Sequence, residues 1–74
     1  MPQRIEVFDL DEAGRPKAEP VMVAEFSRTT IEDGPHGGCA RHVKIGGPHH
    51  GSGGAGTIFV WLERQSFTIS PLWD

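Results

Sequence analysis

His36, Cys39 and His42 recur at every third position, and His49 and His50 follow seven and eight residues after the last of them. Imidazole nitrogen and thiolate sulfur are the donors that zinc takes in tetrahedral structural sites, and such sites often stabilise very small domains. His36, Cys39, His42 and His49 are therefore the candidate metal ligands. The pattern is thin, because the chain has one cysteine and no Cys-x2-Cys or His-x3-His pair. If residues 40–45 are extended, a rise of about 3.3 Å per residue separates the flanking loops by roughly 20 Å. Cys39 and His42 would then also point to opposite faces. Solvated loop histidines without a metal are the simpler reading, and zinc is kept as the alternative.

Two further constellations contain catalytic residue types. Cys39 beside His36 or His42, with Asp33 close by, has the makings of a thiol nucleophile and its base. Such chemistry also needs an oxyanion hole and a cleft on a rigid scaffold, which 74 residues can hardly supply. Gly51-Ser52-Gly53-Gly54-Ala55-Gly56 matches G-x-G-x-x-G letter for letter. The dinucleotide fingerprint requires a strand before the glycines and a helix after them, whereas here a strand pattern follows. No lysine follows to make a phosphate-binding loop, and no carboxylate pair stands apart from solvent-facing charge. The expectation is a protein that is not an enzyme and carries no cofactor.

These residues crowd into one stretch. Nine of the ten glycines, all four histidines and the cysteine lie between Gly34 and Gly56. Glycine-dense backbone does not order itself, so apolar segments on either side must hold it. Arg4 to Val7 alternates polar and apolar residues, and Phe8 and Leu10 complete a first predicted strand. Val21 to Phe26 is apolar on both faces and predicts a second, paired with the first across the charged Asp11–Pro20 loop. Ser27 to Ile31 has good strand propensity. Arg41 to Ile45 alternates cleanly, with Val43 and Ile45 on one side and His42 and Lys44 on the other. Thr57 to Leu62 carries the strongest strand signal, five apolar residues of which all but one are β-branched or aromatic. Ser66 to Ser70 predicts a last strand that Pro71 ends. Residues 1–74 are thus expected to form a single small all-β domain, an antiparallel sheet or partly closed barrel of four to five short strands with two Gly/His-rich loops.

Composition narrows the function classes. The net charge is -3 and no three basic residues lie together, so a nucleic-acid-tracking surface is not expected. The longest apolar run, Ile58 to Leu62, is far too short to span a bilayer. The opening MPQRIEVFDL shows no basic-then-apolar leader, and a lone cysteine fits a reducing compartment. A cytoplasmic protein without membrane contact is the expectation.

The two faces of Thr57 to Leu62 carry the functional reading. Ile58, Val60 and Leu62 point one way, Phe59 and Trp61 the other. A chain this short has little with which to cover both sides, and aromatic residues lead the anchors of protein interfaces. Phe59, Trp61 and Trp73 are therefore the expected apolar anchors for a larger protein partner or a second copy. His36, Arg41, His42, His49 and His50 are the expected polar contacts. The profile is that of an adaptor or stoichiometric inhibitor, of the compact acidic kind that mobile elements encode. A self-assembling subunit built through open strand edges is the remaining alternative.

Overall fold

A computed structural model of the chain describes residues 2–34, 37–47 and 56–72. Those residues form six strands and no helix, so none is long and apolar enough to cross a membrane. The strands are β1 (Gln3–Asp9), β2 (Met22–Phe26), β3 (Thr29–Gly34), β4 (Gly37–Ile45), β5 (Gly56–Trp61) and β6 (Gln65–Pro71). They make two three-stranded antiparallel sheets, ordered β2-β1-β6 and β3-β4-β5. The all-β expectation holds, with six strands in place of four to five. The sheets face each other and do not close into a barrel.

The extra strand is β3: the Ser27–Ile31 segment, next to Val21–Phe26 in sequence, becomes a strand of its own in the other sheet, lengthened by Glu32 to Gly34. Glu32 to Cys39, expected as a loop, is mostly the arms of a hairpin between β3 and β4. Gly37, the first residue of β4, has a positive φ of 64°, and Gly38 follows it in the strand. The β3–β4 ladder jumps register between Asp33 and Gly34, so Gly34 pairs with Gly37 while Asp33 pairs with Arg41. Charge patterning reinforces the hairpin. Asp33 and Arg41 are opposite each other and ion-paired, and Lys44 reaches Glu32 at 2.9 Å. Both pairs are substantially exposed, which limits each to at most about 1 kcal/mol.

One core lies between the sheets. Ile5 and Val7 of β1 and Phe26 of β2 meet Val43 of β4 and Ile58 and Val60 of β5. Ala24, Ile45, Leu62, Phe67 and Ile69 pack around them half-buried. The alternation in the sequence explains the sorting: Ile5 sits level with Ala24 and Ile69, and Val43 with Ile58. Arg4, Glu6 and Thr68 fall on the outer face of their sheet.

Two short connections pass the chain from one sheet to the other. Ser27 and Arg28 join β2 to β3, pinned by Ser27 N–H donating to Gly47 O and Gly46 N–H donating to Arg28 O. Leu62 to Arg64 join β5 to β6, with Arg64 N–H donating to Trp61 O. The Asp11–Pro20 connection is a loop, as expected, and it is built rather than loose. Asp11 Oδ1 accepts from the Ala13 and Arg15 amides, and Gly14 N–H donates to Asp11 O. Gly14 holds φ at 79° with open space where a Cβ would stand. Gly14→Ala therefore carries a backbone cost without a clash, and should lower stability by about 1–2 kcal/mol. A urea midpoint compared with wild type measures it.

Candidate aromatic face of the β3–β4–β5 sheet

The regular β4–β5 ladder sets which side chains share a face. Ala40 pairs with Trp61, His42 with Phe59 and Lys44 with Thr57, while Val43 pairs with Ile58 and Arg41 with Val60. The first group points away from the core, so the predicted split of Thr57 to Leu62 is observed. Val60 is fully buried and Ile58 nearly so, whereas Phe59 is 43% exposed.

On the outer face the three rings form one row. The His42 ring lies 5.1 Å from that of Phe59, tilted by 60°, and Phe59 lies 6.0 Å from Trp61 and near-parallel to it. Contacts of this geometry contribute about 0.5–1.5 kcal/mol each beyond simple burial. Trp61 is half-buried, and its backbone N–H donates to Gln65 Oε1, which ties the end of β5 to the start of β6. Gln65 Nε2 in turn donates to Asp9 Oδ1. The ring row is thus anchored to both sheets.

Two small residues that the sequence did not advertise support the row. Ala40 faces outward yet is fully buried, and Gly34 lies beside it at the irregular end of the β3–β4 ladder. A Cβ on Gly34 would stand 3.0 Å from Ala40 Cβ and 3.4 Å from Phe59 Cε2. Small residues at both positions let Phe59 settle against the hairpin. The Glu32–Lys44 ion pair lies on the same face and leaves it without net charge.

The structure divides the expected site residues. His42, Phe59 and Trp61 come together. Arg41 does not join them: strand alternation puts it on the other side, ion-paired with Asp33. His36, His49, His50 and Trp73 lie outside the described residues. So does the Gly51–Ala55 run. Cys39 is exposed and lies, by the same alternation, on the face opposite His42, as an extended strand requires. Among the described residues no three His, Cys, Asp or Glu side chains gather where a metal ion would sit. Two wide-open depressions lie away from this row, around Leu10, Asp11 and Lys17 of the β1–β2 loop. Comparison with protein-family models, with curated proteins and with solved structures finds no match to this chain.

Proposed function

We propose that this chain is a small non-enzymatic binding module of the cytoplasm. It seats the outer face of its β3–β4–β5 sheet on a larger protein, as an adaptor or stoichiometric inhibitor. The observation that carries this reading is Phe59, a large ring left 43% exposed between His42 and Trp61 on the face turned away from the core. An aromatic cluster rimmed by a neutralised ion pair is the composition of an interface centre, where aromatics are enriched and unpaired charge is depleted.

Size points to the kind of partner. Where the three strands run side by side, over about six residues each, they cover roughly 14 by 20 Å. That is well under the ~800 Å² per partner of a stable interface. The partner therefore has to reach past this face onto the neighbouring turns, which favours a large protein over a small ligand.

An affinity capture from the native cell with tagged wild type, Phe59→Ala and Trp61→Ala tests the reading. Phe59→Ala should lower recovery of a stoichiometric partner at least tenfold while remaining cooperatively folded, its stability down only by the loss of its two ring contacts. Trp61→Ala should lower both, because its ring is half-buried and tied to the β5–β6 turn. Equal recovery with wild type and Phe59→Ala removes this face as the contact.

A further inference from the structure

The Phe59 ring has neighbours on three sides, and one of them is a glycine. His42 and Trp61 flank it with their own rings. On the third side its Cε2 lies 3.4 Å from the point where a Cβ on Gly34 would stand. Gly34 belongs to β3 and Phe59 to β5, with β4 between them. Strands spaced about 4.8 Å apart put those two backbones roughly 10 Å from each other. The ring reaches Gly34 only by leaning over β4, so it lies along the sheet and does not stand off it.

Backbone conformation does not explain why residue 34 is glycine. Among the described residues only Gly14 and Gly37 hold a positive φ, so Gly34 does not use the left-handed freedom that favours glycine. What the position lacks is room. A methyl there would stand 3.0 Å from Ala40 Cβ and 3.4 Å from the ring edge, both inside the ~3.5–4.0 Å at which carbon atoms rest. Ala40 is fully buried on the central strand and has nowhere to retreat. Phe59 is 43% exposed, and its free direction is outward into solvent.

We propose that Gly34 is a positioning residue for the partner-binding face. Its missing side chain leaves the notch that receives the edge of the Phe59 ring and holds the ring across β4, in the pose in which it meets the partner. The inference rests on the reading of this face as a protein contact. Its physical content is preorganisation: an anchor ring fixed before association gives up less freedom on binding. A methyl at residue 34 lifts the ring out of that pose while leaving the chemistry of the ring unchanged.

Capture from the native cell and aromatic NMR of the free protein, applied to one set of variants, test it. Gly34→Ala should shift the Phe59 ring resonances and lower recovery of the partner about threefold or more, as expected of a contact displaced beyond its tolerance. Gly38→Ala is the control. It adds the same methyl to the same hairpin where nothing lies within 4 Å of it, and should match wild type in both readouts. Combining Gly34→Ala with Ala40→Gly removes the atom that crowds the new methyl, and should return both readouts to those of Ala40→Gly alone. Recovery lost in Phe59→Ala but kept in Gly34→Ala overturns the inference and leaves the reading of the face standing. Unmoved ring resonances in Gly34→Ala, or an equal loss in Gly38→Ala, also overturn it. Recovery kept in both Phe59→Ala and Gly34→Ala, or absent from wild type, overturns the reading of the face and this inference with it. A Gly34→Ala chain that unfolds even beside Ala40→Gly means that the hairpin backbone requires the glycine, which overturns its role in positioning the ring.

Discussion

Phe26→Ala should leave the domain largely unfolded at 25 °C, and no other single truncation to alanine should cost as much. Phe26 is the largest fully buried side chain among the described residues. It closes β2 immediately before the chain turns into the second sheet, and it belongs to the cluster formed by both. Removing a buried Phe side chain costs about 3–5 kcal/mol, through lost transfer energy and the cavity left behind. A single core in a domain of this size rarely supplies more than about 3–5 kcal/mol of net stability. The two figures meet, so the variant has little stability left. Phe26→Leu keeps most of the volume and should remain folded, down by about 1–2 kcal/mol. Circular dichroism against urea separates the outcomes. A Phe26→Ala protein with a cooperative transition near the wild-type midpoint would mean that the corner is not where the core closes.

Much of this architecture is legible in the residues, and the parts that are not have definite causes. Period-two alternation marks β1 and β4, and a run of β-branched and aromatic residues marks β5; strand parity then sorts the faces of each, because one face meets the core. Alternation does not say which strand pairs with which. That β1 sits between β2 and β6 depends on a contact between strands some sixty residues apart, which no local pattern encodes. Gly37 and Gly38 read as breakers, yet both lie in β4, the first of them with a positive φ. Glycine marks where the backbone can bend and does not by itself say how long the bend is.

The candidate site shows the same division. The row His42, Phe59, Trp61 follows from the parity of two strands once β4 and β5 are paired. Arg41 adjoins His42 in sequence, but the count that puts Val43 on the core side puts Arg41 there too. The exposed edge of β2 carried a visible sign in being apolar on both faces, the same sign that singles out β5. Both strands lie at sheet edges, and what separates them is the burial of their core-facing residues: Ile58 and Val60 of β5 are buried, whereas Met22 of β2 is 45% exposed. Gly34 and Ala40 support Phe59 at the irregular end of the β3–β4 ladder, for which the sequence offers only a glycine.

The division of β5 into a structural and a binding side leads to the sharpest contrast available in this chain: one substitution, made at two adjacent residues, with opposite results. Val60→Lys should not fold. Val60 is fully buried and its side chain points between the sheets, where an ammonium would have no partner. Burying an uncompensated charge costs several kcal/mol even after local relaxation, at least as much as the whole domain has to give. Phe59→Lys should fold. The new side chain can lay its methylene stem along the outer face with its charge in water. It forfeits two ring contacts of about 0.5–1.5 kcal/mol each, those to His42 and Trp61. Dispersed amide resonances for Phe59→Lys and collapsed ones for Val60→Lys are the expected spectra. Because the first variant is folded, its failure to bring down a partner that wild type retains would report on the surface alone. If both variants fold, Val60 is not in the core and the strand has no inward face. If neither folds, the outer rings belong to the structure, and nothing distinguishes Phe59 as an anchor for another protein.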